Sequence, residues 1–473
     1  MATGTVAADR PEAPDGPTIV GSRTVESSDE VPMPETPKLQ RWPVVVGAIL
    51  IQLCLGAIYA WSVFASKLKD AEEAGGGGWS NARTQIVFAV GLAMFALVMV
   101  FAGRRLATWG PQRLAMIGGA LLGAGYALAG IGGGASFWMV LLGVGFVGGA
   151  GIGFAYVVPI AVGMRWFPDR KGMISGVAVA GFGFGALLWM KLAGGWGQLI
   201  ENLGLGSTFA ILGGIFLVLV VLGAFTMRMP PAGWLPAGYV PPAATAAGGT
   251  GFKPREMLRT PQFHLIVLTF TVSAGAGLMA IGLMKLYPVE ALQPGLTEVD
   301  AKAVAETAMA VFFALANGIG RLAWGALSDR LGRKLSVVVM AASQGVLLFL
   351  FIPMAGSTAL LYLGATLIGF NFGGNFALFP ALTADKFGNE TVGQNYPWVF
   401  LSYGVGGIIF PILGGTLGDA GNFPLAFVIC GIACLVGAVA TSLVFTPSRE
   451  EAAKPFTVRG FLSSANLFER NRA

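Results

Sequence analysis

Apolar residues in this chain run on rather than alternate with polar ones. Twelve such runs reach roughly 20 residues, the length an α-helix needs to cross a hydrocarbon core. They lie at approximately 44–66, 84–103, 114–133, 137–163, 173–194, 207–227, 262–286, 303–324, 335–354, 358–382, 395–416 and 422–446. A helix that is apolar all round has no water-facing side, so its surroundings are lipid or other helices. The pattern predicts an all-α membrane protein with twelve transmembrane helices.

The polar intervals divide those runs. About forty residues rich in Pro, Glu, Asp and Thr precede the first run, without the short basic start and small-residue cleavage site of a removable signal peptide. Residues 1–40 are therefore expected to form a disordered tail. The long segment 228–261, with Pro230-Pro231 and Pro241-Pro242, splits the runs six and six. It reads as a linker between an N-terminal bundle, 41–227, and a C-terminal bundle, 262–446, with 447–473 as a second tail. The halves also match at a nearly fixed offset: Gly103 with Gly325, Gly110 with Gly332, and Pro159 with Pro380. Such an internal repeat marks many transporters.

Composition supports this picture. The chain is 55% hydrophobic and only 11% charged, against about 25% charged in soluble domains. Its net charge of +6 is a topology signal and implies no nucleic-acid partner. Cations gather on alternate connections: Arg104, Arg105 and Arg113 after the second run, Arg165, Arg170 and Lys171 after the fourth, Arg228, Lys253, Arg255 and Arg259 after the sixth, Arg330, Arg333 and Lys334 after the eighth, and Lys386 after the tenth. The opposite connections carry Lys67, Lys69, Arg83 and Lys302. The positive-inside rule then places the richer side and both termini in the cytoplasm of a cell bounded by this plasma (inner) membrane. The three cysteines, Cys54, Cys430 and Cys434, lie within runs, without a Cys-x-x-Cys pair, and read as packing residues rather than a disulfide or metal site. Glycine motifs such as Gly145-x-x-x-Gly149, Gly172-x-x-x-Gly176 and Gly181-x-Gly183-x-Gly185 read as close helix contacts or a sliding seam between halves.

Arg321 carries the candidate chemistry. It sits inside the eighth run, about two turns before Asp329, where a cation costs at least ~2.5–3.5 kcal/mol unless it meets protein, water or an anion. Its planar fork suits the two oxygens of a carboxylate. Asn317 and Phe313 share its helical face. Two readings stay open: a substrate ligand, or a structural cation satisfied by backbone carbonyls. Lys285 and Lys191 close outward-running helices, where a lysine snorkels to the interface or serves as an outer gate; Lys285 is the candidate second cation. Tyr396, Phe400 and Tyr403, and likewise Phe372, Phe376 and Phe379, recur at helical spacing as cavity walls or packing. Gln52 is a weaker polar candidate. His264, beside the linker, gets no proton-relay role. No Asp or Glu lies well inside a run, and no Ser/His, paired-carboxylate or metal-ligand constellation is present, which argues against an enzyme and against a cofactor.

Several motifs carry a family resemblance over roughly residues 40–446. Gly325-x-x-x-Asp329-Arg330-x-Gly332-Arg333-Lys334 resembles the signature loop of the major facilitator superfamily. Trp166-Phe-Pro-Asp169-Arg-Lys-Gly172, Gly56-Ala-Ile-Tyr59-Ala-Trp61-Ser62, and Ala377-Leu-Phe-Pro380 with Asn395-Tyr396 are similar to the oxalate/formate antiporter family, whose relatives include bacterial monocarboxylate transporters. The resemblance implies a two-bundle carrier moving small organic anions by alternating access. It implies that Arg321 holds the substrate carboxylate, that Tyr59 and Tyr156 line the cavity, and that Asp329, Arg330, Arg333 and Asp169 serve the gate. The bet for the substrate site is Arg321, Asn317, Tyr403, Tyr156, Tyr59 and Phe376.

Two departures matter. Ala107 stands where the first signature loop usually has an acid, which leaves gating to Asp329 and Asp169. Tyr403 stands where oxalate carriers of the family have a lysine, which leaves one fixed charge and points to monocarboxylates: lactate, pyruvate, glycolate, formate or acetate. The expected protein is a monomeric, proton-linked carrier of such anions, with oxalate/formate-type exchange as the alternative and a membrane sensor without transport behind both.

Overall fold

The structure, a computed structural model, describes residues 1–4, 41–70, 76–79, 81–194, 196–231, 233–236, 238–239, 251–284, 286–293 and 295–447. Most of both tails, the middle of the linker and Lys285 lie outside these residues. No strand occurs among the described residues. Among the described residues twelve helices are long and apolar enough to cross a membrane: α1 Trp42–Ala65, α2 Ile86–Trp109, α3 Pro111–Ile131, α4 Phe137–Trp166, α5 Pro168–Ala193, α6 Leu199–Ala224, α7 Pro261–Leu283, α8 Glu298–Leu331, α9 Arg333–Met354, α10 Thr358–Phe387, α11 Val392–Gly418 and α12 Phe423–Ser442. Every expected run is matched by one helix. Lipid offers backbone groups no partner, so a spanning segment must satisfy them within its own helix.

The helices pack as two six-helix bundles with one plan. In the first, α3 packs on α6, α2 on α4 and α1 on α5; in the second, α9 packs on α12, α8 on α10 and α7 on α11. The repeat seen in the sequence has a structural counterpart. Gly110 and Gly332 precede α3 and α9 with φ of 80° and 87°, a conformation that glycine adopts without steric cost. Gly103 and Gly325 each abut a glycine carbonyl of the opposite bundle, that of Gly393 and that of Gly172 respectively. The bundles therefore meet along two seams, α2 with α11 and α5 with α8.

Three helices depart from regular α geometry along their length, besides the 3-10 turn that opens α5 at Pro168–Arg170 and the break near the start of α6 at Gly204, where φ is 77°. α1 tightens to a 3-10 turn at Gly56–Ala60, and α4 and α8 widen to π turns at Leu141–Gly148 and Ala308–Phe313. Such segments are often functional. At the first, glycine is required because a Cβ on Gly56 would overlap the Phe182 carbonyl of α5.

Candidate functional site

Arg321 is positioned by close backbone approach on two sides. A Cβ on Gly176 of α5 would strike the Arg321 carbonyl, and one on Gly373 of α10 would strike that of Asn317. Small residues thus hold α8 between α5 and α10, and the arginine lies at the seam between the bundles. Its side chain is fully buried. Nε donates to Asn317 Oδ1 at 3.1 Å, and Nη1 donates across the seam to the Val179 carbonyl at 2.9 Å. Nη2 is buried with no protein acceptor. None of the ion pairs among the described residues involves Arg321.

Aromatic rings enclose this cation. The guanidinium carbon stands 4.3 Å from the ring centre of Phe376 and 5.7 Å from that of Phe182, within cation–π range of both. Phe182 contacts Tyr59 and Tyr156 at 5.0 and 5.5 Å between ring centres, and Phe376 contacts Tyr403 at 5.4 Å. Phe400 touches Tyr156 at 5.4 Å and Tyr403 at 5.2 Å. The Tyr59 and Tyr403 hydroxyls hydrogen-bond to each other, tying α1 to α11. Buried polar atoms without a protein partner cluster on the same helices: Tyr396 Oη, Gln52 Oε1 and Asn375 Oδ1. A buried donor and acceptors left unmatched in protein are costly.

Toward the basic end, Asp329 accepts hydrogen bonds from the backbone N–H groups of Gly172 and Met173 at 3.0 and 2.7 Å and pairs with Arg333. A carboxylate there also meets the positive end of the α5 dipole. Asp385 pairs with Lys171 at 2.9 Å and with Arg333 at 3.4 Å. These contacts latch α5 to α8 and α10. The other side closes differently: Arg104 of α2 lies 4.9 Å from the ring centre of Trp398 in α11, and α4 meets the turn between α10 and α11, where Arg165 donates to the Glu390 carbonyl and Asn389 donates to the Met164 carbonyl.

The family model described as Major Facilitator Superfamily matches residues 42–311 and 297–470. The chain belongs to the major facilitator superfamily. It is a multi-pass membrane transporter and not an enzyme. It is 30% identical to the uncharacterized MFS-type transporter YhjX of Escherichia coli, over 78% of this chain and 86% of that protein. Identity to the oxalate:formate antiporter of Oxalobacter formigenes is 28%, covering 85% and 91%; to apicoplast pyruvate carrier 1 of Toxoplasma gondii it is 28%, covering 77% and 82%. Among solved structures, the E. coli fucose:proton symporter FucP shares the fold, with a TM-score of 0.64 at 16% identity over 86% of this chain and 99% of that one.

Within this superfamily fold, the six residues expected at the site come together: Arg321 with Asn317 and Phe376, Tyr403 with Phe376 and Tyr59, and Tyr59 and Tyr156 on Phe182. The gate candidates separate. Asp329 reaches across the bundles to the Gly172 and Met173 N–H groups and Arg333 pairs with Asp329 and Asp385 within the second bundle, whereas Asp169 pairs with Arg41 at 2.9 Å inside the first, and Arg330 is exposed with no described ion pair. Lys191 lies 5.8 Å from the Trp196 ring centre at the helix end. Sequence reasoning missed Phe95, Phe182 and Asp385. Phe182 left a signal, a bulky residue between Gly181 and Gly183. Phe95 left none, because one more phenylalanine in an apolar run looks lipid-facing.

Removing the Asp329 charge tests the latch. Charge-assisted bonds contribute about 1.5–3 kcal/mol, so Asp329→Asn should raise the population open at the basic end by about tenfold. Spin labels on Thr108→Cys and Arg330→Cys would report it as a longer distance, since Cys54, Cys430 and Cys434 are buried. An unchanged distance distribution would show that the latch lies elsewhere.

Proposed function

We propose that this carrier moves small monocarboxylates, of the lactate, pyruvate, glycolate, formate or acetate class, by alternating access, with the substrate carboxylate on Arg321. The carrying observation is the buried Nη2 without an acceptor among the described residues, on a cation that no carboxylate among them neutralises. The substrate is the missing anion. Asn317 orients the fork, Phe376 and Phe182 face it, and Tyr59, Tyr156 and Tyr403 bound a small, largely apolar chamber. The relatives named for oxalate, formate and pyruvate support this substrate class. Asp329, Asp385, Arg333 and Lys171 serve the gate.

In the same reading, bundles 41–227 and 262–446 rock about the seams as a monomer, joined by linker 228–261, and the basic end and both termini face the cytoplasm. Moving an anion against an inside-negative potential costs about 2.3 kcal/mol per 100 mV, so each cycle needs a compensating charge. Proton-linked symport supplies it and leads the reading. Exchange supplies it too and has one observation in its favour: an empty site keeps an unneutralised cation, which penalises closure without an anion.

Proteoliposomes loaded with a pH dye decide between them. Net lactate uptake should acidify the lumen. Uptake that requires a trapped counter-anion and leaves lumenal pH unchanged identifies exchange, and no accumulation of any monocarboxylate overturns the transport reading.

A further inference from the structure

A cleft of about 460 Å³ opens at the basic end between the start of α9 and the end of α10, floored by the last residue of α12, Ser442. Arg333, Lys334 and Lys386 line it together with one acid, Asp385. That acid is already engaged by Lys171 and Arg333 in the latch. The cleft is therefore net cationic.

Its other walls are apolar. Leu331 and Leu335 are 47% and 51% exposed at the rim, while Leu382 is buried at the base. Both exposed leucines sit where helices long enough to span a bilayer end, at the boundary between hydrocarbon and headgroups. A water-facing anion site has no use for such a rim. A ligand with one phosphate and adjoining acyl chains uses both halves of the lining: phosphate oxygens on the ammonium groups, glycerol and first methylenes on the leucines.

We infer that this cleft is a binding site for the headgroup phosphate of an anionic phospholipid. It lies outside the substrate chamber, wholly within the second bundle. With the basic end cytoplasmic, as proposed above, the ligand comes from the inner leaflet. Because Arg333 and Asp385 also belong to the latch, lipid in the cleft bears on a wall of the gate.

The full-length protein in neutral detergent tests this without reference to orientation or transport. Dioleoyl phosphatidylglycerol should raise its thermal midpoint by several degrees and persist as an adduct in native mass spectra. Phosphatidylcholine should do neither. The double variant Lys334→Gln/Lys386→Gln should weaken phosphatidylglycerol binding by about 25-fold, roughly fivefold per lysine. Arg113→Gln, an exposed cation at the same end but outside the cleft, should leave it intact. If the double variant folds poorly, Lys386→Gln alone should still show the fivefold loss. The inference fails if the lysine variants bind phosphatidylglycerol like wild type, if phosphatidylcholine binds as well, or if glycerol 3-phosphate alone reproduces the full stabilisation, which would make the ligand a soluble phosphate.

Discussion

Arg321→Gln is expected to reduce transport by 100-fold or more while leaving the unliganded protein at least as stable as wild type. Removing one partner of a buried ion pair costs about 3–5 kcal/mol, because the other charge is stranded. With the substrate carboxylate on Arg321 as proposed, the stranded charge belongs to the substrate, so the penalty falls on binding. The protein has no carboxylate beside Arg321 to strand among the described residues, and glutamine relieves the burial of an incompletely satisfied cation. Glutamine also retains a donor for the Val179 carbonyl. The two readouts separate the open readings of this residue. A structural cation would lose stability first and transport in proportion. A substrate ligand loses uptake at saturating stability, and substrate-induced thermal shifts vanish with it. Arg321→Lys should recover only part of the uptake, since a point charge replaces a fork that donates to Asn317 and to the seam carbonyl at once. Wild-type uptake by Arg321→Gln would refute the proposed site.

How much of this was legible in the sequence depends on which solvent each residue answers to. Lipid forces unbroken helices, so the twelve spans were readable from run length. The fixed offset between Gly110 and Gly332 marked two turns that proved to share a positive φ. Arg321 was legible because a cation in an apolar run is too costly to be incidental. The boundary of α10 was not: its apolar run fades near 382, yet the helix continues to Phe387, and Asp385 thereby becomes a latch residue. Nor was the distinction between lipid-facing and core-facing aromatics. Phe95 is 1% exposed and Phe101, two turns on, is 41% exposed, but both stand in one run without a polar face to orient it. The tightened turn at Gly56–Ala60 escaped for another reason. It follows from the approach of α1 to the Phe182 carbonyl, a tertiary contact with no local signature.

The proposed chamber offers one fixed cation, and Tyr403→Lys adds another. Tyr403 faces Phe376, the ring on which the Arg321 guanidinium rests, and its hydroxyl bonds to Tyr59 across the bundles. Tyr403→Lys would place an ammonium on the far side of that ring. In the empty protein the two buried cations repel, and the Tyr59 hydroxyl loses its partner, so the thermal midpoint should fall by several degrees. Oxalate should restore it. One carboxylate takes Arg321 and the other takes the lysine, and each additional desolvated charge pair contributes about 1.5 kcal/mol or more, or at least tenfold in affinity. Formate and lactate leave one cation unpaired and should bind more weakly than to wild type by a similar factor. The preference between mono- and dicarboxylates should therefore invert, read as the ratio of binding constants from thermal shifts and as competition in uptake. Tyr403→Phe supplies the control: it removes the hydroxyl without adding charge, so it should loosen the Tyr59 contact and keep the monocarboxylate preference. If wild type already binds oxalate more tightly than lactate, the one-cation account of selectivity fails, and Lys285 becomes the residue to replace next.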